Sequence, residues 1–415
     1  MADQTSTIPK VWKMTTLGEV VFPVSDTFNF AGKDKVHFLN TGDILEGKLL
    51  HQDLVSIKSL PGQAKKSFIQ NDILYSEIRP ANKRYMLVDF DSSNSVASTK
   101  LMVLRTKGGV DVNFIYKFIT FQKVLKEFQL IAESRSGTFP QITFDSISNF
   151  PLFLPPLLEQ RAIAAVLSSL EDKIELLREQ NKTLEIIAQA IFKKWFVNFN
   201  FPGVTGKTID SELGQIPEGW KAGKLGDEVK TILGGTPNTE KKEYWQNGTI
   251  PWINSGKVND FRIYESTTYI TEKALKESAT RLMPKGTVVI AITGATLGQV
   301  SRLEIDSTGN QSVIGILPNE KFSSVYLYYW MLENVSNIIN TATGGAQQHI
   351  NKNDVNNFDF IIPEKGILKK YFEGANPMIE KISSNCFQIQ TLSSLRDILL
   401  PKLMKGEVRV KGFND

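Results

Sequence analysis

The clearest pattern of hydrophobic and polar positions lies in residues 157–196, where apolar residues recur at alternating spacings of four and three. The repeating positions are Leu170, Ile174, Leu177, Leu184, Ala188, Ile191 and Trp195. A repeat of 3.5 residues is typical of a coiled-coil helix. Asn181 interrupts the repeat near its centre. The pattern therefore predicts a long amphipathic helix whose apolar face needs a partner.

A second pattern of this kind occupies residues 364–405. Its apolar positions are Tyr371, Ala375, Met378, Ile382, Ile389, Leu392, Leu399 and Leu403. Because a globular segment separates the two helices along the chain, we expect them to pair in antiparallel orientation. This pairing would bring Asn181 close to Asn385, and a buried polar pair lowers stability but fixes the helix register. The alternative is that either asparagine points to solvent.

The two helices belong to an internal repeat that spans the chain. WKMTTLGEV (12–20) resembles WKAGKLGDEV (220–229), and GTFPQITFDSISNFPLFLP (137–155) matches GAQQHINKNDVNNFDFIIP (345–363). Trp12 and Trp220 are 208 residues apart (220 − 12), and the same offset relates Ile174 to Ile382. Two copies of a module plus a helix indicate a pseudo-two-fold internal repeat within one chain.

Each globular module is predicted to contain both helices and strands. Short β-branched runs predict strands at 100–106, 286–293 and 312–318, and helical spacing predicts helices at 114–132 and 325–340. The sequence thus predicts an α+β fold with two similar globular domains joined by two long antiparallel coiled-coil helices. The predicted boundaries are a first domain at 1–156, a helix at 157–198, a linker at 199–219, a second domain at 220–363 and a helix at 364–408.

Composition excludes several classes of protein. The chain has 415 residues, a formal net charge of +4 and a sequence pI near 8.8, a mild basic bias that permits binding to a polyanion. The single Cys386 excludes an intrachain disulfide and a cysteine-based zinc cluster, and it favours a cytoplasmic location. No apolar run resembles a transmembrane segment or a signal peptide. The three histidines lack metal-ligand spacing, and GATLG (294–298) lacks the following lysine of a phosphate loop, so we expect neither a metal nor a cofactor.

Three phrases together resemble the specificity subunit of type I restriction-modification systems. They are LPPLLEQRAIAAVLSSLEDKIELLREQNKTLEIIAQAIFKKWF, SELGQIPEGW and ILLPKLMKGEVRV. The resemblance implies that each module is a target recognition domain for one half of a bipartite double-stranded DNA sequence. It also implies that the helices form a spacer, which sets the distance between half-sites and docks two methyltransferase subunits. Restriction and translocase subunits would join this core, and the chain itself would have no catalytic residues.

Candidate DNA contacts are basic, amide and glycine residues in loops, since these side chains hydrogen-bond base edges and phosphates. In the first module they are Lys65, Lys66, Arg79, Asn82, Lys83, Arg84, Arg135, Gly137 and Gln141. In the second module they are Lys241, Lys242, Thr293, Gly344, Gly345, Gln347, Gln348 and His349. The glycine-containing loop recurs at the same offset, as Gly137 and Gly345. The alternative is that these loops are ordinary solvated surface.

Two other functions are consistent with parts of the pattern. An enzyme with its own target domains would need a catalytic motif, and the chain has no Asn-Pro-Pro-aromatic or Asp-Pro-Pro-aromatic tetrapeptide for amino-methylation. A coiled-coil scaffold without sequence-specific DNA binding is the main alternative, and it would leave no footprint on DNA.

Overall fold

The structure is a computed structural model that describes residues 8–135, 138–342 and 349–413. The chain forms two compact units, of which the first comprises Met1–Lys173 with Leu392–Asp415 and the second comprises Ile174–Thr391. The division between units falls within the two long helices, so that each unit contains one globular module and a part of each helix.

The first unit is built from short strands and a few helices, followed by the first long helix. In chain order they are β1 (Lys13–Thr16), α1 (Leu17–Val20), β2 (Val21–Val24), β3 (Lys35–Leu39), β4 (Ile44–Leu45), β5 (Lys48–Leu49), β6 (Leu54–Ser56), β7 (Ala64–Lys66), β8 (Ile73–Ser76), β9 (Tyr85–Leu87), β10 (Ser95–Ser98), β11 (Leu101–Thr106), α2 (Val112–Thr120), α3 (Gln122–Arg135), α4 (Phe144–Ile147), β12 (Pro151–Leu154) and α5 (Leu157–Phe192).

Two four-stranded sheets form the body of the first unit. One has the antiparallel order β2-β11-β8-β9, and the other has the order β6-β3-β10-β7, in which β3 and β10 are parallel. One face of the first sheet packs on α2, α3 and the start of α5 in a core that includes Phe114, Phe128 and Ile163. Leu403 and Met404 join the same core.

The second unit has a similar construction, with one four-stranded sheet and one three-stranded sheet. Its elements are β13 (Thr208–Ser211), β14 (Gly214–Pro217), β15 (Lys221–Lys224), α6 (Leu225–Glu228), β16 (Thr231–Leu233), β17 (Ile250–Ile253), β18 (Thr268–Ile270), α7 (Glu272–Glu277), β19 (Val288–Ala291), β20 (Val300–Arg302), β21 (Thr308–Gly309), β22 (Val313–Ile316), α8 (Ser324–Ala342), α9 (Lys352–Asn356), β23 (Asp359–Ile362) and α10 (Lys365–Met404).

The internal repeat predicted from the sequence is confirmed in the sheet topology. The order β16-β22-β19-β20 reproduces β2-β11-β8-β9, and β15 pairs with β23 in the register in which β1 pairs with β12. The repeated Leu-Gly phrase has a packing reason. A Cβ on Gly226 would lie 2.8 Å from the Cβ of Asn356, and one on Gly18 would lie 3.1 Å from the Cβ of Ser148. Only glycine permits so close an approach at these equivalent positions.

Three expected boundaries differ from the structure. The helix predicted at 114–132 is two helices, because the chain leaves helical geometry at Phe121. The predicted linker contains the hairpin β13–β14, which places Ile216 in the core of the second unit. The C-terminal helix ends at Met404 rather than at 408, because Gly406 follows with a positive φ of 71°.

Within the second unit α5 and α10 are antiparallel, as predicted. Asn181 contacts Asn385, whereas further along α5 the ring of Phe192 lies 5.9 Å from that of Tyr371. The predicted seam is wrong in its last turns, where Phe192 and Phe196 are buried and Ile191 and Trp195 are only half-buried. A straight α-helix drifts from a strict 3.5-residue repeat, and a π-helical turn at Lys193–Val197 follows α5, so the buried face moves by one residue. No helix among the described residues is long and apolar enough to cross a membrane.

Candidate nucleic-acid interface

In the first unit, the loop that follows β8 lies against the segment that precedes α4. The amide of Arg79 donates to the carbonyl of Pro140 at 3.1 Å, and the amide of Ile142 donates to the carbonyl of Glu77 at 2.8 Å. Ile78 and Gln141 form an isolated antiparallel bridge between the same two segments. Two stretches about 60 residues apart, both predicted from sequence as DNA-contacting, are therefore brought together.

The side chains of this loop divide into exposed and anchored groups. Arg79 and Asn82 are exposed, whereas Lys83 pairs with Glu46 at 2.8 Å. Arg84 Nη1 donates to the carbonyls of Gly42 and Ile44 at 3.1 and 3.0 Å. Arg79 Nη2 makes a long hydrogen bond of 3.5 Å to the carbonyl of Thr138, and the anchored pair is bonded at 2.8–3.1 Å, so Arg79 and Asn82 are better placed to contact a ligand.

Backbone strain accompanies this loop. Arg79 and Lys83 have positive φ values of 42° and 55°, a conformation that is costly for residues other than glycine. Strained non-glycine residues persist where the surrounding structure fixes them, and they concentrate at functional sites. The strain thus supports the loop as a site without identifying its ligand.

The remaining candidates of the first unit lie on either side of this loop. Lys65 is exposed on β7, but Lys66 Nζ donates to the carbonyl of Leu101 at 2.8 Å and lies 3.8 Å from Glu77. Burial lowers the pKa of Lys66, although Glu77 opposes the shift. Arg135 is exposed and donates to Thr143 Oγ1 at 3.0 Å. Of the two lysines, Lys65 is the one available to a polyanion.

The second unit has the same arrangement in the loop that follows β19. The amide of Ile350 donates to the carbonyl of Ile292 at 3.2 Å, just as Ile142 bonds Glu77 in the first unit. Thr293 precedes a short 3₁₀ turn, Gly294–Thr296, and is half-buried. This loop (292–299) contains no lysine or arginine. The backbone geometry is therefore repeated while the chemistry of the side chains differs.

Lys241 and Lys242 are exposed in the second unit, but acidic groups lie near them. Lys241 Nζ donates to the hydroxyl of Tyr244 at 3.2 Å, and that contact raises the pKa of Lys241. Tyr244 in turn donates to Glu277 at 2.9 Å. His349 is exposed next to Ile350. The predicted contacts Gly137, Gly344, Gly345, Gln347 and Gln348 lie outside the described residues.

The structure places the two seam asparagines in direct contact. Asn385 Nδ2 donates to Asn181 Oδ1 at 2.9 Å, and Asn181 Nδ2 lies 3.6 Å from Cys386 Sγ. All three side chains are buried, and burial raises the pKa of the Cys386 thiol to about 11. Cys386 therefore behaves as a small apolar residue of the helix seam.

Sequence analysis missed several buried charges that organise each unit. In the first unit, Glu159 accepts hydrogen bonds from Arg409 at 2.7 and 2.9 Å and from Trp12 Nε1 at 2.9 Å. In the second unit, Arg262 and Glu304 are fully buried. Their partners are distant in sequence, so no local motif signals them. Among the described residues, no cluster of three or more His, Cys, Asp or Glu side chains is placed to hold a metal ion.

Comparison with known proteins identifies the family. The sequence model described as the type I restriction modification DNA specificity domain matches residues 9–186 and 217–386, which correspond to the two halves of the repeat. The chain belongs to this family. It is therefore a DNA specificity subunit, a non-catalytic component of a type I restriction-modification system, and the resemblance seen in the sequence is confirmed.

Individual members of the family align over most of the chain. The HindI specificity subunit of Haemophilus influenzae is 32% identical, covering 96% of this chain and 99% of that protein. The MjaIX specificity subunit of Methanocaldococcus jannaschii is 30% identical, covering 72% of this chain and 68% of that protein. The crystal structure of a type I restriction-modification S subunit from M. genitalium has a TM-score of 0.62 at 15% identity, covering 97% of this chain and 98% of that chain. This last likeness concerns the fold alone.

Proposed function

We propose that each globular module recognises one half of a bipartite double-stranded DNA target. The observation that carries the proposal is the repeated interface: Ile142 to Glu77 in the first unit and Ile350 to Ile292 in the second. Equivalent backbone geometry would present both loops to DNA in the same way. Different side chains on the two loops would then select different base sequences, since base-edge contacts give sequence specificity.

The paired helices would act as the spacer between the half-sites. A helix rises about 1.5 Å per residue, so the number of residues in α5 and α10 would determine the distance between the two modules. Deletion of one heptad from each helix should change the spacing between half-sites without changing the bases recognised. A change in the bases of either half-site would contradict the spacer role.

The helices also offer a surface for the partner subunits. Leu176, Ile186 and Ile187 on α5 are between 44% and 59% exposed, although they lie beside a well-packed helix seam. Exposed apolar surface on a long helix fits a contact with a protein partner. We infer that this side of the helices docks methyltransferase subunits, two per specificity subunit, with restriction and translocase subunits joining the complex. Such a complex would act in the cytoplasm.

Reconstitution tests the proposed function. We expect the purified chain alone neither to methylate nor to cut DNA, and methylation to appear when the methyltransferase subunit is added. Methylated positions should then be mapped genome-wide in host cells with and without this gene. Loss of a bipartite set of methylated sites on deletion supports the proposal. Methyl transfer by the chain alone, or no sequence-specific footprint on DNA, would refute it, and the second result would favour a coiled-coil scaffold.

A further inference from the structure

A buried network of charges joins the globular module of the second unit (residues 220–363) to both long helices. Arg262 is fully buried, and its Nη2 donates to Glu185 on α5 at 2.7 Å. Its Nη1 donates to the hydroxyl of Tyr328 at 2.9 Å. The guanidinium carbon lies 4.3 Å from the ring centroid of Phe261 and 4.4 Å from that of Tyr328. The arginine is thereby held between the module and the first helix.

Glu304 provides the link to the second helix. It is fully buried, and its Oε2 accepts a hydrogen bond from Ser383 Oγ on α10 at 2.7 Å. Its Oε1 accepts from Arg302 Nη1 at 2.5 Å and lies 3.7 Å from Arg262 Nε. Two arginines and two glutamates therefore balance in charge, and one chain of contacts connects α5, the module and α10.

The segment around Arg262 makes two further contacts with α10. Glu265 Oε2 accepts from Gln390 Nε2 at 2.7 Å, and the ring of Tyr264 lies 6.2 Å from that of Phe387. Residues 261–265 thus contact both long helices. These polar contacts add directional bonds to an apolar core that also packs the module against both helices.

Energetics argue that this network serves orientation more than stability. Desolvation of buried charges offsets most of their mutual attraction, so well-packed apolar residues in their place are often neutral or stabilising. Directional hydrogen bonds, in contrast, permit only one arrangement of the groups that make them. Arg262 Nε and Glu185 Oε1 are buried without hydrogen-bond partners among the described residues, which adds to the cost.

The first unit has a different chemistry at the equivalent strand. The register that pairs Val288 with Arg302 in the second unit pairs Ile73 with Leu87 in the first. Two residues further on, exposed Asp89 takes the place of buried Glu304. The network is therefore a property of the second half of the chain and not of the shared fold.

We propose that Arg262, Glu304 and Ser383 are positioning residues that fix the second module against the helix pair, and that this fixed direction makes the protein selective for the spacing between its two half-sites. The inference rests on the proposed function. Spacing selectivity requires both modules to meet their half-sites at once, so a module free to turn would tolerate targets of altered length.

The test compares the wild-type chain with Ser383→Ala and Glu304→Gln, and Asp89→Asn serves as the exposed control from the first unit. Each is assembled with its methyltransferase, and binding is measured to the mapped target and to targets whose spacer is shortened or lengthened by one base pair. Targets with a single substitution in the second half-site are measured in parallel. Thermal unfolding identifies any variant that fails to fold, and Ser383→Ala, which removes one hydroxyl, is the mildest.

We expect both variants to lose spacing selectivity by roughly 2- to 30-fold, the range typical of couplings carried by packed networks, while they keep their discrimination among bases. Asp89→Asn should behave as the wild type. Unchanged spacing selectivity in folded variants would overturn the inference, and so would an equal loss of base discrimination, because the network would then support the recognition surface itself. A wild-type protein without any spacing preference would instead overturn the proposed function.

Discussion

The contact between Asn181 and Asn385 allows a quantitative test of the helix pairing. Substitution of Asn181 by alanine removes the acceptor that Asn385 Nδ2 uses at 2.9 Å, and the next acceptor, Gln180 Oε1, is 3.4 Å away. Asn385 is fully buried, and its Oδ1 already has no partner among the described residues. Asn385 Nδ2 would then keep the longer hydrogen bond to Gln180, and a buried polar group left poorly paired costs about 1–3 kcal/mol. Each single alanine variant should therefore lower the free energy of unfolding by about that amount.

The double variant separates this interaction from the loss of side-chain volume. With both amides removed, neither side chain is left poorly paired. The double alanine variant should therefore lower the free energy of unfolding by about 1–2 kcal/mol less than the sum of the single variants. A variant with leucine at both positions should be at least as stable as the wild type, since apolar pairs commonly match or exceed buried polar pairs.

Urea unfolding, followed through the transition of the second unit, measures these free energies. The control cycle combines Asn385→Ala with Thr183→Ala, because Thr183 is an exposed residue on the same helix as Asn181. The free energies of this cycle should be additive within roughly 0.5 kcal/mol. Additivity in the Asn181–Asn385 cycle as well would refute the buried contact. The register role, which remains a prediction, further requires the double-leucine variant to lose spacing selectivity despite its stability.

Three further predictions concern other contacts. Glu159→Ala should destabilise the first unit by about 3–5 kcal/mol, because it removes the buried carboxylate that pairs with Arg409 and accepts from the indole N–H of Trp12, and thermal unfolding measures this. Cys386 should resist alkylation in the folded protein at pH 8. Burial raises its thiol pKa from 9.0 to about 11, so the stability that the neutral thiol contributes is fully present below pH 9. That stability is lost as the pH rises from 9 to about 11, as unfolding at stepped pH would show. Lys65→Ala should weaken binding to all DNA sequences and lower the salt slope by about 0.9, whereas Arg79→Ala should reduce base discrimination by about 1–3 kcal/mol, which anisotropy titrations at several salt concentrations distinguish.

The features predictable from sequence were those encoded in periodic or repeated positions. Asn181 and Asn385 interrupt an apolar repeat, and the 208-residue offset aligned the strands that the structure pairs in equal registers. The end of the α5 seam was not predictable in the same way, because a strict 3.5-residue pattern ignores the drift that buries Phe192 and Phe196.

The position of the candidate site was predictable from the sequence, but the contacts of its charged side chains were not. Residue types located the candidates between Arg79 and Arg84, yet Arg84 and Lys83 bond Gly42 and Glu46, contacts that no local pattern contains. The buried Arg262 was missed for a related reason, since arginine is almost never fully buried unless paired and its partners lie on other elements. Long-range pairing decides which charged residues face a ligand and which hold the fold together.

Exchange of one module tests most directly whether each module recognises one half of the DNA target. Residues 1–150 would be replaced by the corresponding module of another family member, and the methylated positions of the host genome would be mapped for both proteins. One half of the recognised sequence should change while the other half and the spacing stay the same. Changes in both half-sites, or in neither, would contradict independent recognition by the two modules.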